Sequence, residues 1–383
     1  MLTPEGRAKG LRRERVLACP RFDGAAFRNT VAAQADARAV TSALAPRGPR
    51  GPRAARGDVL REYLSGGERR TPRGAIPVVR PHEAWATAPA TGLRATWLGH
   101  STVLLEIDGV RVLTDPVWAG RASPVSFAGP KRFHAAPASI AELPPLDAVL
   151  VSHDHYDHLD REAVLALARG GASFVTSLGV GARLEAWGVP HERVVELDWW
   201  ESVEVRGVRI TAAPSHHFSG RSLLDRNRTA WSSFHVRGPR HALFFSGDTG
   251  LTADYAEIPS RLGKVDLVML EVGAFHPAWG DIHLGPENAL AAHALLGGGA
   301  LLPVHWGTFK LALHPWDEPA ETLLARAPAL GVPLVMPRVG EAVEPARAVE
   351  APVAPWWRAV DEARAAPAAG VAELGLEPGE IEG

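Results

Sequence analysis

The feature that most constrains the fold is a polar segment that directly follows a short apolar run. Residues 148–151 read Ala-Val-Leu-Val, and residues 152–160 read Ser-His-Asp-His-Tyr-Asp-His-Leu-Asp. A short apolar run of this kind predicts a buried strand, and the residues after Leu159 begin a helical pattern. Three imidazoles and a carboxylate therefore crowd the turn at the end of a strand. In layered α/β proteins, loops at one edge of the sheets carry the site residues, so we expect such a protein here.

The spacing inside this segment favours two metal positions rather than one. Imidazole and carboxylate are the ligands that zinc and related divalent metals prefer. On an extended segment, residues two apart point to the same side, so His153 and His155 can bind one ion together. Asp157 and His158 follow the turn and face a second position. The alternative is a histidine-rich surface turn, which does not explain why the histidines follow a buried strand.

Three later residues occupy equivalent places, each where an apolar strand runs into a turn. His217 follows the strand-like segment 208–211, Asp248 follows 242–245, and His305 follows 300–304. We expect these side chains to complete the ligand set that residues 153–158 begin.

The order of these motifs resembles the metallo-β-lactamase superfamily: His-x-His-x-Asp-His, a lone His, Gly-Asp-Thr and a last His. Finer segments are similar to the N-acyl-phosphatidylethanolamine-hydrolysing phospholipase D branch. The matching stretch runs from about residue 91 to about residue 330, most of the chain. The segments that indicate the branch are Gly99-His100-Ser101-Thr102, Thr114-Asp115-Pro116-Val117, residues 127–133 and His305-Trp306-Gly307-Thr308-Phe309.

The resemblance implies a four-layer αββα fold of the α/β (α+β) class, with two mixed sheets face to face and helices outside. It also implies two divalent metal ions. Zinc is the expected metal, with manganese, iron or nickel as alternatives, because His/Asp sites accept each of them. The implied ligands are His153, His155 and His217 for the first ion, Asp157, His158 and His305 for the second, and Asp248 between the two.

The implied chemistry is metal-assisted hydrolysis. Two ions roughly 3.5–4 Å apart can hold a bridging hydroxide whose pKa is lowered toward about 7, and they polarise the substrate oxygen. Asp157 is either a ligand only or also orients the water or passes a proton. His283 matches a family position linked to catalysis, so we expect it to act as general acid or phosphate contact. The alternative for His283 is a structural loop histidine.

Further residues near the motifs are candidates for substrate contact or for support of the ligands. Lys131, Arg132, Arg221 and Arg226 are candidate phosphate contacts, because arginine suits planar anion recognition. Surface solvation explains each of them equally well. His216 is expected to support the neighbouring ligands or to face the substrate, and the alternative is that it serves as a ligand in place of His217. Trp279 and Trp306 are expected to line a cavity, although most tryptophans belong to the core. His100 and Asp115 are expected to hydrogen-bond the ligand histidines.

The chain divides into three predicted parts: an N-terminal extension (1–90), a catalytic domain (91–350) and a C-terminal tail (351–383) expected to be partly mobile. In the extension, 46–53 is predicted as a loop, and 32–44 and 58–64 as short helices. Asp108-Gly109 is predicted to form a hairpin turn. Further predicted strands are 95–98, 103–107, 110–113, 173–176, 203–205, 209–212, 232–236, 242–245, 267–271 and 300–304, and predicted helices are 161–169, 180–188, 253–262, 286–296 and 319–326.

Composition limits the compartment and the partners. A net charge of −2 gives no reason to expect nucleic-acid binding. The single cysteine, Cys19, excludes an internal disulfide framework and makes zinc β-lactamases with a thiolate ligand a poor match. No run approaches ~18–20 apolar residues, and no apolar segment follows the N-terminal basic residues, so we expect neither a membrane span nor a signal peptide. The expectation is a cytoplasmic protein, with peripheral membrane contact and a homodimer both left open; the alternative for the basic N-terminal residues is a solvated tail.

The leading functional prediction is a phosphodiesterase of phospholipase D type acting on N-acylated glycerophospholipids or similar lipids. The N-terminal region, with its arginines and short apolar stretches, is the predicted membrane-docking element. Two alternatives stay open. One is hydrolysis of a lactone, a cyclic phosphodiester or another ester at the same di-metal site, and the other is a catalytically silent binding module. The complete set of seven ligands argues against the silent module.

Overall fold

The computed structural model describes residues 6–30, 69–276, 279 and 281–362, and these residues build two β-sheets with flanking helices. The first sheet has the strand order β13-β1-β2-β3-β4-β5-β6 and the second β12-β11-β10-β9-β8-β7. The strands are β1 (Leu93–Gly99), β2 (Thr102–Ile107), β3 (Val110–Thr114), β4 (Ala148–Val151), β5 (Ser173–Ser177), β6 (Val194–Leu197), β7 (Ser202–Val205), β8 (Val208–Ala213), β9 (Ser233–Arg237), β10 (Ala242–Phe245), β11 (Leu267–Glu271), β12 (Ala300–Val304) and β13 (Ala342–Val343).

Helices cover the outer faces of the two sheets. Their bounds are α1 (Gly10–Ala18), α2 (His82–Trp85), α3 (Arg161–Leu167), α4 (Gly181–Ala186), α5 (Ile258–Leu262), α6 (Gly285–Leu295), α7 (Glu318–Arg326), α8 (Pro345–Ala348) and α9 (Trp356–Glu362). Short 3₁₀ helices lie at Ile140–Glu142, His191–Arg193, Ala253–Glu257 and Pro328–Leu330. Among the helices in the described ranges, none has the length and apolar character needed to span a membrane.

Alternating side chains of the first sheet separate two apolar cores. Leu105 and Leu150 belong to the core shared with the second sheet, where Phe234 and Phe245 are fully buried. Leu104 and Val149, one residue away, belong to the core beneath α3 and α4. Because successive strand residues point to opposite faces, a sheet covered on both sides is apolar at every position. This arrangement confirms the αββα layering predicted from the sequence.

The hairpin between β2 and β3 forms at the predicted turn. Asp108 and Gly109 have φ values of 50° and 87°, and Ile107 pairs with Val110 across the turn. Positive φ at both central residues is typical of a type I′ turn, which glycine and aspartate tolerate. The Asp108 carboxylate also accepts hydrogen bonds from the backbone N–H groups of Arg240 and His241, so the turn is tied to the second sheet.

Residues 6–30 pack onto the catalytic domain instead of extending away from it. Arg12 forms an ion pair of 2.6 Å with Glu185 in α4, and Arg15 donates to the carbonyl oxygen of Glu196 in β6. Val16 and Phe27 are buried in a small apolar cluster together with Trp231. This part of the N-terminal region therefore belongs to the folded domain, and its predicted docking role stays a prediction. The predicted segments 32–44, 46–53 and 58–64 lie outside the described residues.

The described residues beyond the boundary expected near residue 350 pack against the main core. Trp357 in α9 is fully buried in the main core, and its indole N–H donates to Glu321 in α7 at 2.7 Å. A fully buried tryptophan anchors its helix, so the domain extends at least through α9.

Two strands elsewhere, β6 and β13, were not predicted, because a four-residue and a two-residue strand give little periodic signal. The segment 253–262 is a 3₁₀ helix followed by α5 rather than one α-helix.

Candidate metal centre

The direction of the strands brings the polar residues of both sheets to one edge. In the first sheet β1, β3 and β4 run the same way, and in the second sheet β8, β10, β11 and β12 do so. The residues that follow the ends of parallel strands meet at the same sheet edge. The side chains delivered in this way are His100, Asp115, His153, His217, Asp248, Glu271 and His305.

One group of ligand atoms comes from the segment after β4 and the turn after β8. The Nε2 atom of His153 lies 2.8 Å from Nδ1 of His155, and Nε2 of His217 lies 3.3 Å from that same Nδ1 atom. One Asp248 carboxylate oxygen is 4.0 Å from His153 Nε2 and 3.7 Å from His217 Nε2. Together these four side chains can hold a metal ion. They include the three histidines that the sequence assigns to the first position.

A second group lies on the other side of Asp248. The Oδ2 atom of Asp157 is 3.5 Å from His158 Nε2, 3.3 Å from His305 Nε2 and 3.0 Å from His100 Nε2. These four residues can also hold a metal ion. The three ligands predicted for the second ion therefore lie together in the structure. His100 adds a ring nitrogen to the same cluster.

Asp248 sits between the two groups. Its Oδ2 atom is 3.1 Å from His158 Nε2 and 3.2 Å from His305 Nε2, in addition to its approaches to the first group. Its Oδ1 atom is buried without a hydrogen-bond partner, as is Nε2 of His158. Buried polar atoms are nearly always satisfied, so two unpartnered atoms within a cluster of imidazoles and carboxylates indicate a cation site. The donor set of imidazoles and carboxylates fits two divalent ions.

The protonation of the cluster agrees with a metal site. Burial lowers the pKa of His153, His155 and His217, which favours the neutral form that metals bind. Burial also opposes protonation of His305, but the neighbouring Asp248 and Asp157 raise its pKa to about 10. Without a metal, protons therefore offset the buried carboxylates. A divalent cation offers the same compensation, and its binding releases these protons.

Asp115 contacts the ring nitrogen of His158 that faces away from the second group of ligand atoms. Its Oδ2 atom lies 2.6 Å from Nδ1 of His158 and accepts the Ser152 hydroxyl at 2.7 Å, while its Oδ1 atom accepts the Ser152 N–H. A carboxylate on the far ring nitrogen fixes the orientation and tautomer of a ligand histidine. The structure thus places Asp115 against a ligand histidine and places His100 against the ligand Asp157.

Glu271 was missed in the sequence analysis. It is the last residue of β11 and fully buried, and its Oε1 atom accepts the N–H groups of Thr249 and Leu284. Its Oε2 atom lies 2.8 Å from Nδ1 of His283, whose ring stands 5.1 Å from that of His217. Glu271, His283, Asp248 and His305 form a third possible ligand group. The sequence did contain a signal for Glu271, because it is an acidic residue at the end of an apolar strand. The same kind of signal identified Asp248.

Asn29 was also missed, and it ties the N-terminal segment to a metal-centre histidine. Its side-chain amide donates to the His217 carbonyl oxygen at 2.8 Å, and its Oδ1 atom accepts the His217 N–H at 3.1 Å. The Trp231 indole N–H donates to the same oxygen at 3.1 Å. One side chain therefore holds both backbone groups of His217, 188 residues away in sequence. No local pattern around Asn29 indicates this contact.

Replacing Asn29 by Ala is expected to weaken metal binding at the position that His217 serves. Loss of a residue that orients a ligand typically reduces metal affinity by about 10–100-fold. Competition with a chromophoric chelator measures this affinity directly. The control is Asn288→Ala, an exposed asparagine of α6. Unchanged affinity in Asn29→Ala would show that His217 holds its place without this amide.

Three residues predicted to contact substrate make backbone or core contacts in the structure. Arg132 is buried, and its guanidinium donates to the carbonyl oxygens of Val117 and Ala119. Arg221 donates to the carbonyl oxygens of Asp154 and Leu159, and its guanidinium lies 3.8 Å from the Tyr156 ring centroid. These contacts stabilise the segment that carries the predicted ligands between residues 153 and 158. Trp306 stacks on Trp97 in the core at 5.4 Å, and it also lines a small cavity that includes His305 and Phe309. Substrate contact by these three residues stays a prediction.

The remaining candidates lie at the margins of the centre. His216 is buried beside the ligand His217, where its backbone pairs with Gly250 across a bridge. Trp279 contacts the ring of His276 at 5.5 Å. Lys131 is exposed and lines a cavity of about 710 Å³ that also includes Tyr156, the residue between His155 and Asp157. None of the seven predicted ligands lines this cavity, which therefore lies beside the metal centre and not over it.

Comparisons with known proteins agree with this architecture. A sequence profile described as Beta-lactamase superfamily domain matches residues 110–306. An uncharacterized protein of Mycobacterium tuberculosis is 48% identical, over 75% of this chain and 77% of its own length. The N-acyl-phosphatidylethanolamine-hydrolyzing phospholipase D 1 of Caenorhabditis elegans is 37% identical, over 66% and 75%. A metallo hydrolase from Ignicoccus hospitalis shares the fold, with a TM-score of 0.51 and 22% identity over 66% of this chain and 97% of its own.

Proposed function

This chain belongs to the metallo-β-lactamase superfamily of metal-dependent hydrolases, and on that premise we propose that it is a phosphodiesterase of phospholipase D type acting on N-acylated glycerophospholipids or similar lipids. The observation that carries the proposal is the pairing of two His/Asp ligand groups around Asp248 with the His283–Glu271 dyad next to them. Phosphodiester hydrolysis needs both positive charge at the phosphoryl group and a proton for the leaving oxygen. The similarity to a relative named for this lipid reaction supports the substrate class.

The residues around the metal centre have distinct roles in the proposed reaction. When bound, divalent cations at such a site lower the pKa of water toward about 7 and polarise a phosphoryl oxygen. Asp157, 14% exposed and hydrogen-bonded to His100, lies at the accessible side, where it can orient the attacking water. His283 donates its Nδ1 hydrogen to Glu271, which leaves Nε2 available to the leaving group.

The charge on His283 suits a general acid. Burial by itself lowers the pKa of His283, but the carboxylates of Glu271 and Asp248 outweigh burial and raise that pKa above its usual value. The imidazole therefore keeps its proton to a higher pH than an ordinary histidine does. An acid whose pKa lies near or above the working pH can donate a proton to an alkoxide leaving group and is reprotonated before the next turnover.

A substrate panel tests the proposal. We expect kcat/KM on a long-chain N-acyl phosphatidylethanolamine in mixed micelles to exceed that on bis-p-nitrophenyl phosphate by about 10-fold or more, because acyl-chain binding contributes to transition-state stabilisation. Release of phosphatidate and the N-acyl ethanolamine, measured by mass spectrometry, identifies the bond that is cleaved. Rapid lactone hydrolysis without phosphodiesterase activity would contradict the proposal and favour the ester alternative. Retained metal with no hydrolysis of any substrate class would favour the silent binding module.

A further inference from the structure

Two exposed loops carry large apolar side chains beside the candidate metal centre. We call them the flanking loops: residues 119–133 and residues 218–229. Phe127 at the tip of the first is 81% exposed, and Leu223 and Leu224 in the second are 100% and 78% exposed. Single exposed apolar residues are common, but three on neighbouring loops form a surface that calls for a partner.

Specific hydrogen bonds hold both tips in place. In the first loop, the guanidinium of Arg121 donates to the carbonyl oxygens of Ser126 and Gly129, on either side of Phe127. In the second loop, one carboxylate oxygen of Asp225 accepts the N–H groups of Arg221 and Ser222. The other Asp225 oxygen accepts a charge-assisted bond of 2.5 Å from the buried Arg183. The apolar side chains are therefore presented by ordered loops, so that binding a partner needs little further ordering.

The flanking loops border the same cavity and the same metal centre. Ser126 of the first loop and Ser222 of the second both line the cavity of about 710 Å³. Phe218, which begins the second loop, packs its ring 4.5 Å from that of His155. On the other side, Arg132 of the first loop lies 5.0 Å from the ring of Phe309, which packs against His100. A partner held by these tips would therefore sit next to the reactive centre.

The charge of the flanking loops selects among the partners that an apolar surface can bind. Together the two loops contain six basic residues and one acidic residue, Asp225, which is already paired with Arg183. Of the basic residues, Lys131, Arg226 and Arg228 are exposed. Apolar tips surrounded by positive charge match a bilayer with anionic headgroups, since the side chains enter the interface and the cations attract the surface.

We propose that the flanking loops dock this protein on an anionic phospholipid bilayer, with Phe127, Leu223 and Leu224 inserted at the level of the headgroups. The inference rests on the proposed function, because it describes how a membrane lipid reaches the centre. It replaces the N-terminal residues as the docking element. In the described part of that region, the positive charges of Arg12 and Arg15 are bound to the domain.

Vesicle co-sedimentation tests the docking surface without any turnover. The vesicles contain phosphatidylglycerol and phosphatidylcholine, or phosphatidylcholine alone. Full-length protein is expected to bind the anionic vesicles more strongly, and less so at high salt. Leu223→Ser/Leu224→Ser and Phe127→Ser should each reduce the partition coefficient on the order of 10-fold or more, because each removes apolar surface from the interface. Hydrolysis of a soluble phosphodiester should stay unchanged, which controls for folding.

The matched control is Leu11→Ser/Leu17→Ser, which removes two exposed leucines of α1, 75% and 52% exposed, that do not line the cavity. The proposal is overturned if this control weakens binding as much as the loop variants, or if the loop variants bind like the parent protein. A shift from dimer to monomer in the loop variants, seen by sedimentation velocity, would assign the surface to self-association instead. Vesicle binding without lipid hydrolysis would refute the proposed function alone, and hydrolysis with unaltered vesicle binding in the loop variants would refute the docking surface alone.

Discussion

Replacing Asp248 by Ala is expected to reduce bound metal from about two ions per chain to fewer than one, and to lower kcat/KM by at least about 10³-fold. The reason is geometric: one Asp248 oxygen lies within 4.0 Å of ring nitrogens from both ligand groups. Removing it leaves the two groups without their shared anion. Elemental analysis of protein purified without chelator, together with steady-state kinetics, measures both losses.

The control for this experiment is Glu204→Ala, which removes an exposed carboxylate from β7 at the edge of the second sheet. It should keep its metal and its activity. Far-UV circular dichroism separates loss of metal from loss of fold. A fully active Asp248→Ala protein that still binds two ions would contradict the role of Asp248 as a ligand shared by both groups.

Replacing His283 by Ala is expected to lower kcat by about 10²–10⁴-fold while metal content stays unchanged. His283 contacts Glu271 directly, whereas its nitrogen lies 3.9 Å from Asp248, so its removal leaves both His/Asp groups complete. The separation of the two measurements distinguishes a proton donor from a ligand. Loss of metal in His283→Ala would instead assign this residue to the third ligand group.

Glu271→Gln provides a second readout on the same dyad. If the Glu271 carboxylate raises the pKa of His283, its neutralisation lowers that pKa. A general acid acts in its protonated form, so activity falls as the pH rises through its pKa. The high-pH decline of kcat/KM should therefore move to lower pH in Glu271→Gln. A purely structural role for Glu271 would lower activity at every pH and leave the decline in place.

The sequence by itself determined the elements whose signals are local. The run from Ala148 to Asp160 contains both the strand and the ligands that follow it, so its chemistry was readable without any contact to other segments. The Asp108-Gly109 turn was predictable because this residue pair tolerates the two positive φ values that a type I′ turn requires. The layering was predictable because a strand that is apolar at every position must be covered on both faces.

Only the tertiary structure decided which distant residues complete the centre. Glu271 enters it because β11 lies between β10 and β12 and runs parallel to both, an order that no local pattern specifies. Asn29 reaches His217 because α1 packs beside β6 and brings the following segment to the turn after β8. Trp306 follows a metal-centre histidine, yet it belongs to the core, since neighbouring residues at a strand end point in opposite directions. Sequence spacing records which residues are near along the chain, whereas strand order and packing determine which side chains share a site.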